Sequence, residues 1–226
     1  MNFEIKKDDS LEDIVNALRK NGVAVCYNYL EDVENIKAEC EKIIEETEES
    51  DYLFGKAARI GSAYDNIKSN PATANFFSQE WMFHLFQRYT GKAPNFNEIF
   101  VQYDYRNDRG TNRNGILHFD RISTFKYMLY LTDVDKASGA LSVIPGTHLD
   151  GSYLRTNARK TAQNEYDKIK NWPLVDYPEL GYTEEDIVPV CGKAGTLIIF
   201  DTDIFHLGGL VADDKSRLMI RSHLRG

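Results

Sequence analysis

The run Gly195-Thr-Leu-Ile-Ile-Phe200-Asp-Thr-Asp-Ile-Phe-His206 reads as a buried strand that ends on a histidine. Side chains two apart share one face of a strand, so His206 is expected beside Ile204, Phe200 and Ile198, lining an apolar interior. Comparable short runs lie at 98–105, 115–120, 125–132, 140–145, 187–190 and 216–224. Turn signals separate them, among them Asn112-Arg-Asn-Gly115, Ser138-Gly139, Pro145-Gly146, Cys191-Gly192 and Gly208-Gly209. Short strands broken in this way predict an all-β sandwich or barrel. The polar stretch 149–186, with Trp172-Pro173, reads as an insertion into it.

Before residue 96 the pattern is helical. Ser10 can cap a helix over 10–20 whose stripe is Leu11, Ile14, Val15 and Leu18, closed by Asn21-Gly22. Val23–Tyr27 reads as a buried strand, Glu31–Thr47 as a second amphipathic helix, and 49–71 as a loop or lid. Asn75–Thr90 reads as a third helix ending at Gly91. The expected organisation is one domain over 1–226, with a helical cap and outer strands in 1–95 and the β core in 96–226.

At 226 residues the chain can bury most of its apolar surface without a disulfide or structural metal. Its net charge of −8 provides no basic face for nucleic acid, and no window approaches the roughly 18 apolar residues of a membrane span. The N-terminus lacks the apolar core of a secretion signal. Three widely spaced cysteines, Cys26, Cys40 and Cys191, suggest reduced thiols. A cytoplasmic protein acting on a small molecule is the expectation.

The chemistry-bearing residues sit at strand ends. In Gly115-Ile-Leu-His118-Phe-Asp120-Arg, His118 and Asp120 share a strand face and offer an imidazole beside a carboxylate. His206 is the candidate third ligand. Two histidines and one carboxylate, with open positions opposite, describe the facial triad of non-haem iron(II) oxygenases. Arg217 follows His206 by eleven residues across a turn-rich stretch, and a hairpin would return it beside the His206 strand. A guanidinium buried there needs an anion, and the distal carboxylate of 2-oxoglutarate is a fitting one. Arg221 shares its face and points either at a substrate or out at the rim. Arg106, Arg109, Arg113 and Arg121 gather around the first ligand strand, and Arg155 and Arg159 begin the insertion. They form either a solvated surface or a seat for a small anionic substrate, for which Arg221, Arg121 and Arg113 are the candidates.

Together these residues resemble the phytanoyl-CoA dioxygenase family of iron(II)/2-oxoglutarate oxygenases. The likeness rests on His118-Phe-Asp120, on Tyr127-Met-Leu-Tyr-Leu-Thr-Asp-Val-Asp followed by Ser138-Gly-Ala-Leu-Ser-Val-Ile-Pro-Gly-Thr-His148, and on Gly195–Asp201 with His206 and Arg217. It implies a mainly β fold with flanking helices, a double-stranded β-helix (a jelly-roll, cupin-like barrel). It implies iron(II) on the triad, 2-oxoglutarate and O₂ as co-substrates, and Gln102 as a further co-substrate contact. His148 is read as structural. The implied reaction is hydroxylation of a C–H bond with release of succinate and CO₂, and the arginines, if they seat an anion, add a small amino acid or carboxylated metabolite as the substrate. The competing reading is a cupin-like metal-binding protein, or a metal enzyme, that ignores 2-oxoglutarate. Gly208-Gly209 depart from the family, which often has Ser or Thr shortly after the distal histidine.

Overall fold

A computed structural model describes residues 3–49, 55–105, 115–161, 175 and 178–226. It is mostly sheet with flanking helices. Helix α1 (Leu11–Asn21) starts at the predicted capping box, where Ser10 and Asp13 satisfy each other's backbone N–H, and stops at Gly22, left-handed at φ 72°. Strand β1 (Val23–Cys26) and helix α2 (Glu34–Glu45) follow as expected.

Of the segment 49–71 expected to be a loop or lid, residues 50–54 lie outside the described residues and much of the rest is structured instead. Strand β2 (Gly55–Gly61) lies on the sheet edge, and the one-turn helix α3 (Ala63–Asn66) carries its own Ser62–Asp65 capping box. The expected third helix is two helices, α4 (Pro71–Phe77) and α5 (Glu80–Thr90). Pro71 opens the first, and the extended Gln79 separates them, holding the Trp81 indole N–H through its side chain at 3.0 Å.

The large sheet has six strands in the order β1-β7-β4-β9-β3-β2, from β3 (Phe96–Asp104), β4 (Phe125–Tyr130), β7 (Leu197–Asp201) and β9 (Arg217–Arg225) with β1 and β2. The small sheet is β6-β5-β8, from β5 (Leu141–Ile144), β6 (Val188–Pro189) and β8 (Phe205–Gly208). The pairings are antiparallel, and the two sheets do not close into one hydrogen-bonded barrel. Helix α6 (His148–Thr161) occupies the start of the polar insertion.

Alternation along the strands builds two cores. Phe125, Tyr127 and Leu129 of β4 and Leu218, Ile220 and Leu224 of β9 face the helices, packing with Leu18, Phe77, Met82 and Leu85. Met128, Tyr130 and Met219 point the other way, against Leu141, Val143 and Val190 of the small sheet side. A slip of one residue would exchange these faces, so the apolar pattern fixes register. It also fixes that Lys126, Arg217, Arg221 and His223, which alternate with the helix-facing residues, lie between the sheets.

Two expectations change here. The run 195–206 is not one strand, because the chain turns at 202–204, where the Ile204 N–H donates to the Asp201 carbonyl, and passes from the large sheet to the small one. There is no 206–217 hairpin either: β8 pairs with β5, while β9 pairs with β3 and β4. Among the described residues no helix is long and apolar enough to cross a membrane.

Candidate functional site

His118 is not on a regular strand but on an isolated antiparallel bridge to His206, at the free edge of the small sheet. The two residues exchange backbone hydrogen bonds, His118 N to His206 O at 2.9 Å and His206 N to His118 O at 2.7 Å. Their rings lie 4.5 Å apart, and both residues are buried. Asp120, two residues on, is anchored by its N–H to the Thr202 carbonyl, 2.9 Å, in the turn that precedes β8. Thus the three side chains named from sequence converge, each offering a ligand atom within 4.8 Å of the others.

Their orientation suits a cation. His118 Nδ1 lies 2.7 Å from the Ile116 carbonyl and His206 Nδ1 lies 2.8 Å from the Ile204 carbonyl. A carbonyl only accepts, so Nδ1 carries the proton in both rings and Nε2 keeps its lone pair. Burial, reinforced by the neighbouring His206, pushes His118 down to about 3, which keeps the ring neutral as a ligand must be. Both Nε2 atoms face Asp120 Oδ1, at 3.9 Å from His118 and 3.4 Å from His206. Adjacent corners around a metal with bonds of about 2.1 Å lie about 3 Å apart, so small side-chain shifts bring all three into range. Phe200 packs its ring 5.5 Å from His206.

Lys126 was not anticipated. Its Nζ sits 2.6 Å from Asp120 Oδ2 and 5.5 Å from the Phe200 ring centroid. One carboxylate oxygen is therefore held by the ammonium while the other faces the histidines. Burial works to raise the Asp120 carboxyl, but the Lys126 ammonium beside it outweighs this and holds it well below the usual range. The sequence signal was the charged Lys126 sharing a strand face with the apolar Met128 and Tyr130 on β4.

Arg155 was also not anticipated as a support. From α6 it donates to the Asp120 carbonyl at 3.1 Å and pairs with Asp203 in the 202–204 turn. It pins both ligand-bearing segments. It thereby leaves the group of arginines expected at the surface or on a substrate. Gly151, one turn earlier, lets the helix approach, since a Cβ there would lie 1.9 Å from the Asp203 carbonyl oxygen.

Arg217 is sealed between the sheets and already meets an anion. Its NH2 lies 2.5 Å from Asp104 Oδ2, and its NH1 donates to the Gly139 carbonyl. The anion that a guanidinium buried here requires is supplied in this structure by Asp104, which register sets directly opposite. Its Nε, however, is buried without a hydrogen-bond partner among the described residues. Gln102 spends its amide on the protein, with Nε2 2.8 and 2.9 Å from the two Asp104 oxygens and Oε1 accepting from Arg221. Arg221 lies on the inward face, its Nε 3.1 Å from His223 Nε2 and its guanidinium 5.6 Å from the Phe100 ring centroid. Arg121 is exposed. Arg106, Arg109, Arg113 and the Arg159 side chain lie outside the described residues.

The model of the phytanoyl-CoA dioxygenase family matches residues 18–219. Solved structures share the fold at low identity. The epimerase SnoN, in complex with Fe3+, alpha ketoglutarate and nogalamycin RO, superposes with a TM-score of 0.65 at 16% identity, covering 95% of this chain and 82% of that one. The alpha ketoglutarate dependent carbocyclase SnoK from nogalamycin biosynthesis gives 0.61 at 17% identity, covering 98% and 86%. AviO1 from Streptomyces viridochromogenes Tue57 gives 0.59 at 16%, covering 96% and 95%. No curated protein sequence matches significantly.

Proposed function

The chain belongs to the phytanoyl-CoA dioxygenase family, and from that premise we propose that it hydroxylates a C–H bond of a small carboxylated or zwitterionic metabolite. The family is one of iron(II)/2-oxoglutarate-dependent oxygenases, whose cofactors are iron(II), 2-oxoglutarate and O₂. The observation that carries the reading is the meeting of His118, Asp120 and His206 on a single point between the sheets. We read the whole chain as one oxygenase domain. The β7-β4-β9-β3 centre of the large sheet and the β6-β5-β8 sheet, extended by the His118–His206 bridge, support the double-stranded β-helix.

In this reading His118 and His206 would hold iron through Nε2 and Asp120 through Oδ1. Bound iron, with 2-oxoglutarate, supplies the O₂ activation and C–H oxidation. The protein's own groups bind and orient. The Ile116 and Ile204 carbonyls fix the two ring orientations, and Lys126 holds Asp120 Oδ2. The Phe200 ring helps keep water from the histidines. Arg217 offers its unpartnered Nε to the distal carboxylate of 2-oxoglutarate, with Gln102 acting through Asp104. A carboxylate in the Asp120 position fills the corner that a halide would need, which favours hydroxylation. A small-molecule substrate suits an interior of this kind, and the free thiols of Cys26, Cys40 and Cys191 suit a cytoplasmic setting.

The test is succinate release from 2-oxoglutarate with iron(II) and ascorbate, over a panel of amino acids and small acids. Stimulated turnover with at least one of them, lost in His206→Ala, is expected. Wild-type protein that binds iron(II) yet shows neither 2-oxoglutarate binding nor succinate release would instead indicate the metal-binding reading.

A further inference from the structure

Resting on the oxygenase reading, we propose that Arg221 is the substrate-recognition residue and that the primary substrate carries an anionic group, carboxylate, sulfonate or phosphate, which it receives beside the metal. Arg217 and Arg221 occupy the same inward face of β9, four residues apart, but their surroundings differ. Arg217 is sealed, and Asp104 neutralises it. Arg221 has no carboxylate within ion-pairing distance among the described residues. Its contacts are the neutral Gln102 amide, the His223 ring nitrogen and the face of Phe100. A guanidinium removed from bulk water without a counter-ion is costly, and a bidentate anion satisfies both its charge and its fork of donors.

Access points the same way. Arg221, Asp120 and Phe100 remain partly exposed, whereas Arg217 and Asp104 are closed off at 2% and 0%. Arg221 therefore lies toward the open end of the interior and Arg217 toward its base. The charges agree. Lys126 is matched by Asp120 and Arg217 by Asp104. Iron(II) would offset the 2-oxoglutarate dianion, so neither leaves Arg221 a carboxylate of its own. Burial and the cations Lys126 and Arg221 hold His223 well below its usual range, so it stays neutral and accepts from Arg221 without supplying the missing charge.

The experiment uses the whole protein loaded with manganese(II) and 2-oxoglutarate, so that no turnover occurs. Calorimetry measures 2-oxoglutarate first, and then carboxylates and sulfonates of two to six carbons, phosphate monoesters of the same size, and the matching neutral amides. For wild type, at least one anion is expected to bind tenfold or more tightly than its amide. Arg221→Gln should lose that preference by about 10- to 100-fold while keeping 2-oxoglutarate binding. Arg221→Lys, which retains the charge but not the fork, should fall between. The three anion series identify which headgroup is preferred. The proposal is overturned if no anion outcompetes its amide, or if the preference survives in Arg221→Gln. It is also overturned if Arg221→Gln loses 2-oxoglutarate itself, which would make Arg221 the co-substrate's anchor. Wild-type protein that fails to bind 2-oxoglutarate would instead overturn the oxygenase reading beneath it.

Discussion

His118 and His206, 88 positions apart in the chain, are direct cross-strand partners whose backbones exchange hydrogen bonds of 2.9 and 2.7 Å. The ladder itself sets the two imidazoles side by side. The placement of two of the three proposed metal ligands is thus built into the β pairing. Replacing either histidine by alanine keeps the backbone bonds and removes one donor. Each variant should fold, yet bind manganese(II) more weakly by at least about 100-fold, beyond the 10- to 100-fold typical of outer partners. Calorimetric titration with manganese(II) checks this.

Buried Lys126 and partly exposed Asp120 form a pair at 2.6 Å. Lys126→Met leaves the carboxylate without its cation, and breaking such a pair costs up to ~3–5 kcal/mol, less for the part that water reaches. A bound divalent ion restores a positive partner. The variant should therefore melt lower than wild type without metal, and should gain more in Tm when manganese(II) is added. Equal gains in the two proteins would refute the idea that Lys126 stands in for part of the metal's charge.

Arg155 joins the Asp120 carbonyl to Asp203. Arg155→Met should loosen both ligand segments together, weakening metal binding by about 10- to 100-fold. Its urea midpoint should also fall, because Asp203 is left buried without a counter-charge. The paired readouts are metal affinity and urea unfolding.

Asp104 and Arg217 pair between the sheets at 2.5 Å. Asp104→Asn strands a buried guanidinium, for ~3–5 kcal/mol of lost stability. If 2-oxoglutarate reaches Arg217, it should stabilise this variant more than wild type. Thermal shifts with and without the co-substrate decide it.

Burial keeps His118 neutral by pushing it down to about 3, from an ordinary value of 6.5 in the unfolded chain. The unfolded state therefore binds more protons between those values. The His118 contribution is intact above about pH 6.5 and declines as pH falls toward 3. Metal-free protein should lose ~2 kcal/mol from this residue between pH 7 and pH 5. Urea midpoints at the two pH values, compared with those of His118→Gln, should show a smaller drop in the variant.

Much of this was legible locally. The Ser10–Asp13 capping box, the Gly22 stop and the alternation in β4 and β9 each depend on neighbours within a few positions. The ligand residue types were legible for the same reason, since His118 and Asp120 share a short segment and His206 closes an apolar run. The lid-like reading of 49–71 failed because β2 has little apolar alternation of its own and is held by backbone pairing to β3.

The sequence by itself determined which residues could bind a cation, which faces of the strands must be buried, and where the first helix begins and ends. Only the tertiary structure decided what those residues meet. The turn at 202–204 moves His206 into the small sheet opposite His118. Register across β3 and β9 gives Arg217 the Asp104 carboxylate and leaves Arg221 with neutral partners. Periodicity specifies which way a side chain faces. The partner of a buried charge is set by pairing between strands distant in the chain, which local pattern does not encode.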